Sequence, residues 1–224
     1  MTAHPTALII GASRGIGLGL ARELASRSWQ VTITRRGPPD PETGLLRIVG
    51  PVDITVDTDI RMLAGRLAGQ KFDLIFLNAG IMAGRGQRIG DVPVDEINHT
   101  MQTNAFAPIR TAEALIGFAA PGATVAFMTS ILGSIANNGD DRVELYRASK
   151  AALNSLTRSF AARHTALGLT VLSLHPGVVR SGMGGPDAPL DIETSAHGLA
   201  DVLERRRGTR THVFVDYLDR TIPW

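Results

Sequence analysis

Tyr146 and Lys150 stand one helical turn apart in "YRASK" and pose the first chemical question. A phenol titrates near ~10, so alone it is a poor proton donor at neutral pH. Four residues apart on a helix, the two side chains project from one face. An ammonium there favours the phenolate, and it should lower the tyrosine pKa toward working pH and suit it to acid–base work. Taken alone the spacing is common, and a solvated helix face is the plainer reading. Its company reverses that balance: a glycine loop, Ser130 and the "NAG" of residues 78–80.

The glycine loop is "GASRGIG", residues 11–17, between an apolar run and a helical segment. Gly11, Gly15 and Gly17 let the chain turn sharply. The backbone N–H groups of the loop, through Ser13, Arg14 and Ile16, can then approach a pyrophosphate that the helix N-terminus also attracts. A tight strand-to-helix turn is the bland alternative, and no Gly-Lys-Ser/Thr follows to suggest a Walker-type ATP site. About 20 residues on, a dinucleotide site needs an acid for a ribose hydroxyl or an arginine for a 2′-phosphate. Here Arg35 and Arg36 end the second strand, and Arg14 offers a third cation. That favours NADP. Asp40 and Glu42, in the Pro-rich loop that follows, keep NAD as the minority option.

The elements that must position these groups alternate along the chain. Strands are predicted at 6–11, 29–35, 45–53, 72–80, 123–130, 169–177 and 212–217, several of them continuous apolar runs suited to burial on both faces. Helices are predicted at 15–27, 57–68, 95–119, 143–167 and 192–206. This pattern implies a single α/β domain over residues 1–224: a doubly wound Rossmann fold with a seven-stranded parallel sheet flanked by helices. Ligands of such sheets lie beyond the carboxyl ends of the strands, where the chain reads "TRR", "VDI", "NAG", "TS" and "HPG". Irregular stretches at 81–92, 131–142 and 180–191 would form the rim.

Composition narrows the rest. The 224 residues are 44% hydrophobic and 20% charged, ordinary for a globular enzyme. With aromatics at 5% and a net charge of +2, neither a base-stacking platform nor a nucleic-acid stripe is expected. The run "ERRRGTR" at 204–210 reads as a helix C-terminus, where cations are favoured. There are no cysteines and no histidine spacing for a metal. Neither a signal peptide nor a run of the ~18 apolar residues a membrane span needs is present, so a cytoplasmic protein is expected.

These motifs, with "VDI" (52–54), "TNAFAP" (103–108), "MTSILGS" (128–134) and "HPGVVRS" (175–181), make the whole chain resemble the short-chain dehydrogenase/reductase family. The branch is the one holding C-factor-like proteins and sniffer-type carbonyl reductases. The resemblance implies hydride transfer between a nicotinamide and a small carbonyl or alcohol substrate, with Tyr146 as general acid/base. Ser130 would position the substrate oxygen, Lys150 would also hold the nicotinamide ribose, and Asn104 would complete a proton relay through water. It further implies that Asp53 and Ile54 border the adenine and that Asn78, Ala79 and Gly80 line the cofactor floor. Pro176, Gly177, Val179 and Ser181 would hold the carboxamide. "GMGG" at 182–185 departs from the branch, which usually has an acid before the methionine. A signalling or sensor protein of C-factor type is the alternative reading. An enoyl reductase is disfavoured, because Leu153 stands where its lysine would be. The segments 95–119 and 143–167 carry more apolar surface than one sheet face needs to cover, and the resemblance implies a homodimer or homotetramer built from them.

Overall fold

The computed structural model describes residues 4–37 and 46–224; Asp40 and Glu42 lie outside the described residues. Seven parallel strands form one sheet: β1 (Thr6–Ile10), β2 (Gln30–Ile33), β3 (Arg47–Ile48), β4 (Phe72–Leu77), β5 (Ala119–Met128), β6 (Thr170–His175) and β7 (His212–Asp216). Their order is β3-β2-β1-β4-β5-β6-β7, so the chain reverses direction across the sheet between β1 and β4. In register, Ala7 faces Leu74 and Ile10 faces Leu77. The crevice beyond these two strand ends is where an open α/β sheet takes a ligand.

Strand alternation builds a core on each side. Leu8 and Ile10 pack with Leu63, Phe127 and Phe160 on one face, and Ala7 and Ile9 pack with Leu20, Phe76 and Leu199 on the other. The first face is covered by α2 (Asp57–Arg66), α4 (Ala107–Leu115) and α5 (Glu144–Arg163), with Phe127 and Phe160 edge to face at 5.6 Å. The second is covered by α1 (Gly15–Ser26) and α6 (Ile192–Arg206). Because both faces are covered, the strands read as apolar runs.

Three expected elements differ. The third strand keeps only two residues, since Gly50 and Pro51 follow closely and Pro51 has no N–H for a ladder. The helix expected over 95–119 is α3 (Val94–Met101), a π turn at Gln102–Phe106, and then α4 with Pro108 in its first turn. Pro108 cannot donate back to Asn104, so the ladder widens there. β5 then begins at Ala119, four residues earlier than its apolar run suggests. The arginines of the 204–210 run find specific partners: Arg205 and Arg206 bind Asp219, and Arg207 binds Asp73.

Candidate active site

The phosphate end is made of backbone. Gly11 has φ +88°, and a Cβ on it would lie 2.9 Å from Ala79 N and Cβ. A Cβ on Gly17 would lie 2.5 Å from Asn78 Nδ2 and 2.7 Å from Gly11 O. Asn78 Nδ2 donates to the Gly11 carbonyl at 2.7 Å, pinning the end of β4 to the loop after β1. Thr34 locks the other side, accepting from Gly11 N at 3.1 Å through its hydroxyl and from Ala12 N at 2.9 Å through its carbonyl. Gly15, at φ +59°, has nothing within 4 Å of where a Cβ would stand. Arg14 precedes α1 in extended conformation, and no side chain caps that helix. Ser13 and Arg14 are exposed, and Ile16 leans on the α1–α6 core. The result is an open, uncapped helix N-terminus at the sheet's switch point, which fits an anionic phosphate.

The two strand-end arginines are not equivalent. Arg35 is buried at 3% exposure, whereas the Arg36 side chain is 67% exposed and lies 4.0 Å from Asp53. Consecutive extended residues point to opposite faces, so buried Arg35 drops out of the expected convergence of three cations. Asp53 accepts from the Thr55 N–H at 2.9 Å and from the Thr55 hydroxyl at 2.7 Å, and Ile54 beside it is buried. Burial opposes ionisation of Asp53, but the Thr55 hydrogen bonds and the Arg36 charge together hold its carboxyl below the usual range.

The reactive end is made of buried side chains. Ser130, extended at the end of β5, receives the Leu132 N–H at 3.2 Å, and its hydroxyl acts to lower the pKa of the Tyr146 phenol. Tyr146 and Lys150 lie on the inner face of α5 with only 5% and 3% exposure. Lys150 Nζ donates to the Met128 carbonyl at 2.9 Å and sits 5.8 Å from the Tyr146 ring centroid. Gly133 lets the turn after β5 close on α5, since a Cβ there would lie 2.8 Å from the Lys150 carbonyl carbon. Lys71 and Lys150 are the chain's only lysines.

Electrostatics here run opposite to the expectation that Lys150 acidifies Tyr146. Burial pushes the phenol up to about 12, against the Ser130 hydrogen bond and the field of Arg85. Burial also lowers Lys150 to about 8. The ammonium lies over the ring face and binds Met128, and burial is the dominant influence on the phenol.

Asn104, in the π turn, gives its Nδ2 to Ile81 O at 2.8 Å and to Ser149 Oγ at 3.0 Å. Its Oδ1 takes the Ile81 N–H at 2.8 Å. The amide thus ties the loop after β4 to α5. A Cβ on Gly80 would lie 3.3 Å from Asn104 Oδ1 and 3.4 Å from Lys150 Nζ, so Gly80 floors the space between them.

Beyond β6 the chain turns at Pro176, whose carbonyl takes the Ser195 hydroxyl at 2.7 Å. Gly177 has φ +82°, and a Cβ there would strike Leu190 at 2.3 Å. Val179 is buried and pairs with Leu190. The Ser181 hydroxyl accepts from the N–H groups of Met183 at 3.3 Å and Gly184 at 3.2 Å. Gly184 explains "GMGG": a Cβ there would lie 2.0 Å from Val179 O. Sequence reasoning left out Gly133, Gly184 and Arg85; a glycine in the tight turn "SILGS" directly after a strand is the signal that could have flagged the first.

Comparison with known proteins agrees with this geometry. The family model for short chain dehydrogenase matches residues 5–189. C-signal of Myxococcus xanthus is 35% identical over 167 residues, covering 74% of this chain and 100% of that protein. A Burkholderia multivorans structure, described as a short-chain dehydrogenase/reductase with bound NADP, superposes with a TM-score of 0.95 at 42% identity, covering 99% of this chain and 100% of its own. A carbonyl reductase from Pseudomonas aeruginosa in complex with NADP gives 0.91 at 38% identity, with 99% and 100% covered. By family match, identity and coverage together, the chain belongs to the short-chain dehydrogenase family.

Proposed function

We propose that the protein is an NADP(H)-dependent oxidoreductase interconverting a small carbonyl compound and its alcohol, with Tyr146 as general acid/base. The observation that carries this reading is the burial of Tyr146 and Lys150 on one face of α5, with Lys150 over the Tyr146 ring and tied to Met128 O at the carboxyl end of β5 beside Ser130. A nicotinamide, when bound, supplies or accepts the hydride. Everything else falls to the chain. The uncapped N-terminus of α1 and the open space at Gly15 receive the pyrophosphate, and Arg36 meets the 2′-phosphate. Pro176, Gly177, Val179 and Ser181 hold the carboxamide end.

A phenol at about 12 is fully protonated at neutral pH, the form needed to give its proton to a carbonyl oxygen. Releasing that proton leaves a phenolate. The Ser130 hydroxyl and the cationic Lys150 and Arg85 stabilise that anion as it forms. In the alcohol direction the same phenolate would take the proton back. Asn104 holds the wall that keeps Lys150 in place.

The NADP-bound relatives support this cofactor, as does the exposed Arg36. NADPH should bind far more tightly than NADH, and Arg36→Ala should erase roughly tenfold or more of that preference, measured by fluorescence titration. Equal affinities in the unaltered protein would sink the cofactor assignment. Similarity to C-signal gives a signalling reading some weight, but a sensor has no need of Ser130, Tyr146 and Lys150 in contact.

We also propose a dimer or tetramer through α3, α4 and α5. Phe106 is 44% exposed and, with Met101, lines a cavity of about 570 Å³ whose other walls are polar (Thr55, Asn98, His99 and Gln102), a mixed surface that a second copy could cover. Light scattering at micromolar protein should give at least twice the chain mass, and a strictly monomeric mass would contradict it.

A further inference from the structure

Arg85 stands farther along the loop after β4, beyond Asn78, Ala79 and Gly80. Gly84 folds this loop against α5, since a Cβ there would lie 3.5 Å from Leu145 Cβ, the residue before Tyr146. From that turn the Arg85 guanidinium crosses to the opposite rim and donates to the Met183 carbonyl. It therefore spans the mouth of the cleft, with Tyr146 on one side and the "GMGG" loop on the other. Its charge is felt at the Tyr146 phenol.

What matters is how little holds it. Arg142 and Arg180, from the other two rim loops, are paired with Asp140 and Asp191. Among the described residues Arg85 has no carboxylate partner; one main-chain carbonyl accepts from it. Glu96 accepts from Gly84 N at 2.8 Å, and Glu144 accepts from Ile89 N at 2.8 Å. An exposed guanidinium with four N–H groups not taken by protein acceptors, bridging two rim loops within the field of the proton donor, suits a carboxylate.

We propose that Arg85 binds a carboxylate on the substrate, so that the preferred substrates are carbonyl compounds carrying an anionic group a few bonds from the reacting carbon. The inference rests on the oxidoreductase reading above and deepens it by naming a substrate class. The Met183 carbonyl holds the guanidinium in place until the carboxylate takes the remaining donors.

The test compares the formylbenzoates, with the carboxylate ortho, meta or para, against their methyl esters, following NADPH-dependent reduction. At least one acid should exceed its ester in kcat/KM. In Arg85→Ala that acid-to-ester ratio should fall by roughly tenfold or more, and Arg85→Lys should retain part of it. Using the ratio cancels intrinsic reactivity and any general loss of activity. Calorimetric titration with benzoate gives a readout that needs no turnover: the parent should bind it and Arg85→Ala should bind it at least tenfold more weakly. Equal loss for acids and esters in Arg85→Ala, or benzoate binding unchanged by that substitution, would overturn the proposal. Reduction of neither acids nor esters, with benzoate binding that depends on Arg85, would instead count against the oxidoreductase reading and leave the anion site standing.

Discussion

The two ends of the cleft are built on opposite plans. At the phosphate end the working surface is main chain, with glycines setting the shape and Gly15 open to solvent. At the reactive end the working groups are side chains sunk into the protein, Tyr146 at 5% and Lys150 at 3% exposure. One end excludes Cβ atoms; the other is defined by what its side chains touch. The contrast teaches where each should be fragile: the first to added bulk, the second to lost chemistry and to pH.

The largest effect should come from Tyr146→Phe, which keeps the ring and removes the proton donor. Turnover should fall by roughly 100-fold or more while NADPH affinity stays nearly intact. Stability should change by about 1 kcal/mol or less, since the ring and its packing are kept. Carbonyl reduction at the parent rate would end the catalytic assignment.

At the other end, Gly17→Ala places a methyl 2.5 Å from Asn78 Nδ2 and 2.7 Å from Gly11 O. Breaking the Asn78–Gly11 tie should weaken NADPH binding by about tenfold and cost roughly 1–3 kcal/mol in urea denaturation. Gly15→Ala meets nothing, so only the left-handed backbone penalty of about 1 kcal/mol applies. A greater stability loss at Gly15 than at Gly17 would show that packing does not govern this loop.

The pH response sharpens the contrast in smaller steps. Lys150 is lowered from 10.5 to about 8, so across that window the unfolded chain binds more protons than the folded one. Stability should therefore rise as pH climbs from about 8 to 10.5, by on the order of 2–3 kcal/mol. Tyr146 is raised from 10.0 to about 12, so the folded chain keeps a proton the unfolded one loses, and stability should fall between those values. Lys150→Met should abolish the rise and Tyr146→Phe the fall, with denaturant midpoints read at each pH. A parent protein with no rise from pH 8 to 10.5 would mean that Lys150 is solvated.

How much of this the sequence carried depends on the residue. "TALIIG" announces a strand buried on both faces, and Gly11, Gly15 and Gly17 fall where the loop needs them. Tyr146 and Lys150 share a helix face, as their spacing requires. The break at Pro108 is hidden, because the apolar positions of 95–119 keep helical period through a π turn that adds no separate signal. Arg35 and Arg36 differ in burial for a reason alternation could have exposed, since the residues after a strand still point to opposite faces. The direction of the Tyr146 shift could not be read, because depth of burial decides it and spacing carries no depth. Gly184 is meaningful only once Val179 O is known to lie where its Cβ would be.

The scarcity of lysine makes the cleft open to chemical bookkeeping by mass spectrometry. Lys71 is exposed, so an amine reagent will mark it whatever the state of the protein. Lys150, titrating near 8, offers reactive free amine at mildly alkaline pH, but only to reagent that reaches the bottom of the cleft. The ratio of label on the two therefore reads access to the reactive end, with Lys71 as the internal standard. A ligand that fills the cleft changes the numerator alone, and the same mass spectrum monitors occupancy for any compound without requiring that it be turned over.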